Sequence, residues 1–206
     1  MTNSRPYRSQ LRENQAERTR ELIAVAARAR FLEKGWAGTS VRSVAEGAGV
    51  SQATVYNAYG SKAGLAISLI DAAEGSADVP RVVAELAERA GDPAGQIAAF
   101  TAFDRRLYQH AGDVLRILAE GRRQHPELAT AYGEGRRRGD AQRRRLFASW
   151  PEAVWLPGVD VDRAVAVYGS LVSLEGFAIA TGDYGWSPEE VERWWARTLI
   201  TLLLRA

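Results

Sequence analysis

The sequence contains no cysteine and only two histidines, His110 and His125, among its 206 residues. Without cysteine there is no disulfide, thiolate metal site or cysteine nucleophile, and two histidines cannot form a histidine-based metal cage. The motifs of serine hydrolases, P-loop nucleotide-binding proteins and zinc proteases are also absent from the sequence. The composition therefore argues against an enzyme, and we expect no metal and no cofactor.

Long apolar runs are missing as well. The longest strongly apolar stretches, around residues 164–174 and 199–204, are shorter than the ~20 residues that span a bilayer. The first twenty residues carry five arginines and no apolar segment behind them, unlike a signal peptide. We therefore expect a soluble, cytoplasmic protein with no membrane partner.

The shares of apolar and charged residues, 46% and 25%, are typical of a soluble globular protein. The charges, however, are unevenly distributed. Residues 1–65 hold ten Lys/Arg against five Asp/Glu, whereas residues 66–206 hold seventeen against twenty. A basic first third followed by a mildly acidic remainder indicates that one end of the protein binds a polyanion. The remainder then forms a separate body.

Apolar residues recur at the three-to-four spacing of amphipathic helices, and the alternation typical of strands is absent. We therefore predict an all-α fold of about nine or ten helices. The first helix is predicted to end at Lys34 and Gly35, and three short helices to follow within residues 39–75. Further helices are predicted at about 80–90, 93–109, 113–124, 126–149, 161–181 and 188–204.

Residues 41–59 have the spacing of a helix-turn-helix. Ala45 is small enough for two helices to approach closely, and Gly49 can adopt the positive φ of the tight turn between them. Val50 and Val55 can fill the space between these helices. The second helix carries polar side chains suited to phosphates and base edges: Ser51, Gln52, Thr54 and Asn57. On spacing alone, any small three-helix module with a solvated polar face is the alternative.

Eight short motifs occur in register across this part of the chain. They are Arg18-x-x-x-Leu22-Ile23, Ala26-Ala27, Phe31-Leu32-Glu33-Lys34-Gly35-Trp36, Thr39-Ser40-Val41, Val44-Ala45, Ala48-Gly49-Val50-Ser51, Thr54-Val55-Tyr56 and Tyr59-x-Ser61-Lys62. This run closely resembles the amino-terminal DNA-binding domain of the TetR/AcrR family of bacterial transcriptional regulators. The resemblance covers about residues 18–66, a quarter of the chain.

The resemblance implies a DNA-contacting role for eight residues. Phosphate contacts are implied for the amides and hydroxyls of Thr39 and Ser40, and for Thr54, Tyr56 and Lys62. Base-edge contacts are implied for Gln52 and Ala53, whereas Asn57 can reach a base or a phosphate. Ala58 stands where the family commonly has histidine, so the operator sequence cannot be taken from relatives.

The resemblance also implies a domain organisation: a basic flexible arm at 1–17, a helix-turn-helix DNA-binding domain at 18–77, and a helical effector-binding and dimerisation domain at 78–206. The implied function is a ligand-responsive transcriptional regulator, with repression favoured. It would bind a palindromic operator in double-stranded DNA as a homodimer and be released by a small lipophilic or aromatic effector. The alternative is a ligand-independent architectural or recombination-type DNA-binding protein.

The predicted helices from about 62 to 181 carry more aromatic and aliphatic side chains than one dimer interface can bury. A hydrophobic core alone accounts for most of these side chains. The cavity that the resemblance implies would be largely apolar with a few polar anchors. Tyr108, Tyr132, Glu175 and one arginine are the candidate anchors. The candidate pocket residues are Phe100, Phe103, Leu107, Tyr108, Tyr132, Phe147, Trp150, Tyr168, Glu175 and Phe177.

The last two predicted helices offer a surface for a second copy of the chain. Helix 161–181 is apolar almost all round, which is typical of a helix buried on both sides. In the family the last two helices pair as a four-helix dimer seam. The candidate interface residues are Ala166, Gly169, Ser173, Gly176, Leu199 and Leu203.

Residues 122–145 hold eight arginines against three acids. Such a run is more typical of a solvated helix face than of a second nucleic-acid surface. One arginine that turned inward could pair with an acidic ligand, but the sequence does not say which one.

Overall fold

The fold is given by a computed structural model, which describes residues 5–76 and 78–205 and the side chains of residues 13–69, 78–117 and 119–205. This part of the chain is all-helical, as predicted, with ten α-helices and one short 3-10 turn at Glu152–Val154. The helices are α1 Arg5–Gly38, α2 Val41–Ala48, α3 Gln52–Tyr59, α4 Lys62–Ser76, α5 Val79–Glu88, α6 Pro93–Gly121, α7 Pro126–Phe147, α8 Val161–Leu171, α9 Leu174–Gly182 and α10 Pro188–Leu203. We call α1–α4 the head and α5–α10 the body.

The first helix is longer than the sequence predicts. It begins at Arg5, so residues 5–17 are helical instead of forming a flexible arm, and residues 1–4 lie outside the described residues. Residues 7–17 contain no glycine or proline and several good helix formers, so nothing in them ends the helix. At its other end the helix is interrupted at Gly35, whose φ is 64°, which agrees with the predicted end.

Two other predicted boundaries are wrong. The predicted helices 93–109 and 113–124 form one helix, α6, because Gly112 does not break it. A Cβ at Gly112 would lie 3.2 Å from Cδ1 of Leu174, so this glycine gives α9 room to pack closely.

The predicted helix 161–181 is two helices, because Ser173 caps α9 with its Oγ, which accepts the amide of Gly176 at 3.1 Å. Serine side chains compete with helical bonding in this way. The whole segment Val161–Gly182 is long and apolar enough to cross a membrane by composition, which is longer than the sequence reading allowed. Its buried side chains belong to the core of the body.

Two buried clusters form the core, and α6 contributes to both. The head cluster combines residues of α1–α4 with Val114 and Ile117 of α6 and Leu128 of α7. The body cluster is rich in aromatic side chains, with Phe100, Phe147, Trp150, Trp155, Tyr168, Phe177 and Trp195 among its buried members. Head and body are therefore packed together through α6, so that a change in the body can reach the head through apolar contacts.

Candidate nucleic-acid interface and the body beneath it

The turn between α2 and α3 has the predicted geometry. Gly49 has φ 69° and ψ 30° and caps α2 in the left-handed conformation, which glycine adopts without a steric penalty. The amide of Val50 donates to the carbonyl of Ala45 at 3.0 Å. Ala45 and Val55 are buried between the helices. This packing fixes the direction in which α3 projects.

The helix α3 presents one face to solvent. Ser51 caps the helix with its Oγ, which accepts the amide of Thr54 at 3.1 Å. Residues four apart lie on the same side of an α-helix. The exposed residues that share this side, here called the α3 face, are Gln52, Ala53, Tyr56 and Asn57. Four of the eight candidate DNA-contacting residues therefore lie together on the outer surface.

Two of the candidate hydroxyl groups stand at helix N-termini. Ser40 is exposed and caps α2, its Oγ accepting the amide of Ser43 at 3.1 Å. Thr54 is half-buried in the first turn of α3, with its Oγ1 2.8 Å from Oγ of Ser51. The amide-rich start of a helix favours anions, so both hydroxyls are placed where a phosphate can reach them.

Thr39 does not fit its predicted role. Its side chain is buried, and its Oγ1 lies 2.9 Å from the carbonyl oxygens of both Arg30 and Gly35. Its amide donates to the carbonyl of Trp36. The predicted phosphate contact through this hydroxyl and amide is wrong, because both groups tie the end of α1 to the start of α2.

Lys62 begins α4, and its ammonium group turns toward Trp36. The Nζ donates to the carbonyl of Trp36 and lies 4.2 Å from the centroid of the indole ring. Burial lowers the pKa of Lys62. Since an ammonium group has three donors, two are left for another acceptor.

Trp36 in turn links the head to the body. Its ring stacks on Phe31 at a centroid distance of 5.5 Å and meets His125 edge-on at 5.2 Å. A Cβ at Gly121 of α6 would lie 3.0 Å from the indole ring. Lys62 is therefore held at the junction between head and body.

Arg42 is a candidate that the sequence reasoning missed. It lies one residue into α2, and its guanidinium group is largely exposed and paired with Glu46 at 2.9 Å. Exposed i,i+4 pairs contribute little stability, so the guanidinium is free to exchange this partner for a phosphate. A cation in the first turn of α2, next to Ser40, is the signal that could have identified it.

Among the eight arginines of residues 122–145, Arg143 is the one that turns inward. Its Nη2 lies 2.9 Å from Oδ2 and 3.2 Å from Oδ1 of Asp104, and its guanidinium carbon lies 4.4 Å from the ring centroid of Tyr168. Burial alone would lower the pKa of Arg143, but Asp104, Tyr168 and Tyr108 together outweigh burial and raise it. The partner of the inward arginine is thus an acid of the same chain.

Tyr168 completes this network. It is fully buried and donates its hydroxyl to Oδ2 of Asp104 at 2.7 Å. Burial, and after it Asp104, raises the pKa of Tyr168, so the phenol stays protonated. The carboxylate of Asp104 therefore has both oxygens engaged.

Most candidate pocket residues lie in the body cluster. Those that are buried there are Phe100, Phe147, Trp150, Tyr168 and Phe177, while Phe103, Leu107 and Tyr108 are half-buried on α6. Two candidate anchors lie elsewhere. Tyr132 packs against the head cluster, under the guanidinium of Arg122, because the start of α7 runs beside the head. Glu175 is exposed in the first turn of α9.

The candidate dimer residues fall into two groups. Leu199 and Leu203 are fully buried in the body cluster, so their predicted place on a surface for a second copy is wrong. Ala166 is exposed, and Gly169, Ser173 and Gly176 are partly exposed. Beside Ala166 lies an open groove of about 460 Å³, lined by Arg163, Ala166, Val167, Ser170 and Leu171.

The fold and the α3 face define a class of helical proteins in which a helix-turn-helix head is packed on a larger helical body. Residues 23–69 match the family model of the bacterial regulatory proteins of the tetR family. This match confirms, for residues 23–69, the resemblance seen in the sequence. No curated protein matches the sequence.

Solved structures share the fold over nearly the whole chain. A transcriptional regulator from Saccharomonospora viridis in complex with choline has a TM-score of 0.73 at 17% identity and covers 92% of this chain and 100% of its own. NalD from Pseudomonas aeruginosa, the secondary repressor of the MexAB-OprM multidrug efflux pump, has a TM-score of 0.69 at 21% identity, covering 92% and 98%. A TetR-family regulator from Mesorhizobium loti has a TM-score of 0.64 at 23% identity, covering 92% and 98%. The head and the body together thus have the fold of TetR-family regulators.

Proposed function

We propose that this protein is a cytoplasmic DNA-binding transcriptional regulator, a homodimeric repressor that a small lipophilic or aromatic effector releases from its operator. The observation that carries the proposal is the α3 face, where Gln52, Ala53, Tyr56 and Asn57 are exposed together on a helix whose direction Gly49 and Val55 fix. The tetR-family match over residues 23–69 supports it.

In this proposal, different side chains contact the bases and the phosphates of the DNA. Base edges in the major groove are read by Gln52 and Asn57, since an amide side chain can pair with a base through two hydrogen bonds, and by Ala53, whose methyl group can contact a thymine methyl group. Phosphates are bound by groups at or near helix starts and by the hydroxyl of Tyr56 on the α3 face. These groups are Ser40, Arg42, Thr54, Tyr56 and Lys62. Lys62 would hold Trp36 and a phosphate at the same time.

A dimer follows from the small reach of one recognition helix. One helix reads only a few base pairs, and two-fold dimers place two such helices about 34–36 Å apart, or at a multiple of that spacing. We assign the contact between copies to the outer sides of α8–α10. Ile179 and Leu202 are about half exposed there, and the groove beside Ala166 lies on α8.

We propose the effector response because the body is rich in aromatic side chains and packs on the head. The regulator that was solved with choline supports a small molecule as the effector, and NalD, named as a repressor, supports repression. We propose that α4 transmits the change from the body to α3, because it follows α3 directly and packs on α6. An effector shifts the population only by its differential affinity for the two arrangements of the recognition helices.

The test is selection of double-stranded DNA from a random pool by the purified protein, followed by sequencing and footprinting. We expect one short inverted repeat, protected on two adjacent major grooves. Recovery of unrelated sequences, or protection that spreads along the duplex, would favour an architectural DNA-binding protein. A ligand library titrated against the selected operator then tests release.

A further inference from the structure

We infer that the body binds an aromatic or lipophilic molecule through a hydrogen-bond acceptor on that molecule, a carbonyl or carboxylate oxygen that meets the indole N–H of Trp195, and not through a cationic group. The inference rests on the effector response proposed above and names the chemical class of the ligand. The place is the group of rings formed by Tyr108, Phe177 and Trp195, here called the aromatic trio.

The body contains buried donors without acceptors. Trp195 is fully buried, and among the described residues its Nε1 has no hydrogen-bond partner. The Nε of Arg143 is also buried and has no acceptor in the described part of the chain. A buried donor without a partner costs free energy, and a ligand oxygen removes that cost. Trp150 shows the contrast, since its Nε1 donates to Oε1 of Gln96 at 2.7 Å.

The aromatic trio gives the apolar part of the site. The ring centroid of Tyr108 lies 5.9 Å from that of Phe177 and 6.1 Å from that of Trp195, and the last two are 6.0 Å apart. These distances are those of aromatic rings packed directly on one another, so a further planar group binds there only when one of the rings moves aside. The hydroxyl of Tyr108 is 3.3 Å from the carbonyl of Val172, at the break between α8 and α9.

The charges beside the trio do not favour a cation. Asp104 is a buried carboxylate that acts on Tyr108, but Arg143 and Tyr168 already engage both of its oxygens. Glu175, the carboxylate of α9 that the sequence offered as an anchor, is exposed. Burial, and after it Asp104, raises the pKa of Tyr108, so this phenol also stays protonated. The buried polar group without a partner at the trio is therefore a donor, the Nε1 of Trp195.

We assign the route into the trio to a displacement of α9. Phe177 is carried by α9, which is only nine residues long. The helix is separated from α8 by the break at Val172 and Ser173 and from α10 by residues 183–187. Displacement of α9 would move one ring of the trio and leave Tyr108 and Trp195 in place.

The experiment compares four probes that share a naphthalene ring, by equilibrium dialysis against the full-length protein. They are naphthalene, 2-acetylnaphthalene, 2-naphthoate and a trimethyl(naphthylmethyl)ammonium salt. We expect one or both oxygen-bearing probes to bind about tenfold more tightly than naphthalene, the gain of one well-made hydrogen bond in a buried site. Comparison of 2-acetylnaphthalene with 2-naphthoate shows whether a carbonyl or a carboxylate oxygen is preferred. The ammonium probe should bind no more tightly than naphthalene.

Trp195→Phe keeps an aromatic ring and removes the N–H. It should reduce the preference for the oxygen-bearing probe to about one, whereas Trp150→Phe, the matched control, should leave it at about tenfold. The ratio is taken within each variant, so a general loss of stability affects both probes alike. Equal binding of all four probes, no binding, tightest binding of the ammonium salt, or a preference that survives in Trp195→Phe would each overturn the inference.

Operator affinity is measured on the same samples. If the oxygen-bearing probe behaves as expected but never changes operator affinity, the effector response fails while the ligand class stands. If operator binding responds to a probe whose affinity does not depend on Trp195, the response stands and the ligand class fails.

Discussion

The ammonium group of Lys62 donates to the carbonyl of Trp36 and lies 4.2 Å from the centroid of its indole ring. The lysine that begins α4 is thus bound to the residue that joins the head to α6 and α7. Any phosphate contact by Lys62 is made from this position. The position of its ammonium group therefore depends on the packing between head and body.

Lys62→Ala should lower the free energy of unfolding by about 1–2 kcal/mol, because it removes a cation–π contact and a charge-assisted hydrogen bond. It should also weaken binding to operator and random DNA alike and reduce the salt dependence by about one ion. Chemical denaturation and binding at several salt concentrations measure the two effects. Lys34→Ala, at an exposed lysine of α1, is the control and should leave the stability within about 0.5 kcal/mol. Unchanged stability of Lys62→Ala would show that the Trp36 contact contributes nothing.

Thr39→Val should destabilise the head by about 1–2 kcal/mol, since a buried hydroxyl that bonds two carbonyls is lost. Thr39→Ser keeps the hydroxyl and should lose less. If Thr39→Val leaves the unfolding transition unchanged and instead weakens DNA binding, the hydroxyl contacts phosphate after all.

Arg143→Met should lower the free energy of unfolding by about 3–5 kcal/mol, because it leaves the carboxylate of Asp104 buried with one partner. The double variant Arg143→Met with Asp104→Leu should be more stable than the single variant, since only the hydroxyl of Tyr168 then lacks an acceptor. The control is Arg144→Met, which breaks the exposed pair with Asp162 and should cost no more than about 1 kcal/mol. Equal losses for Arg143→Met and Arg144→Met would mean that the buried pair contributes no more to the free energy of unfolding than the exposed pair.

Leu202→Asp should convert the proposed dimer into a folded monomer, because it places a charge on an apolar residue of α10 that is about half exposed in the single chain. Leu32→Asp is the matched control, at a leucine of α1 with nearly the same exposure. Sedimentation at micromolar concentration distinguishes the two states. A wild-type protein that sediments as a monomer contradicts the assembly itself, and a dimer that persists in Leu202→Asp contradicts its assignment to this surface.

The helix-turn-helix at residues 41–59 was predictable because its signals are local. The conformation of Gly49, the cap of Ser51 and the outward side of α3 each depend on neighbours within one or two turns. The errors lie where a particular side-chain contact decides. Thr39 turned inward because its hydroxyl meets carbonyls of α1 four and nine residues earlier. Gly112 lies within α6, where it leaves room for Leu174 of α9.

In the body, the pattern of apolar residues identified helices but not their inner faces. Leu199 and Leu203 face the core of their own chain, and the apolar pattern of α10 does not distinguish that core from a partner. The choice of Arg143 among eight arginines was set by Asp104, thirty-nine residues earlier. Pairings at such a separation have no signature in one sequence.

The most direct test of the central claim measures base preference at the selected operator for Gln52→Ala and Asn57→Ala, beside Gln142→Ala at an exposed glutamine of α7. The account predicts that each of the first two loses about 1–3 kcal/mol of discrimination at particular base pairs, as expected for a lost bidentate pair, while Gln142→Ala keeps the wild-type preference. If both α3 variants bind the operator and its single-base variants as the wild type does, α3 does not read the sequence of the DNA, and the account is contradicted.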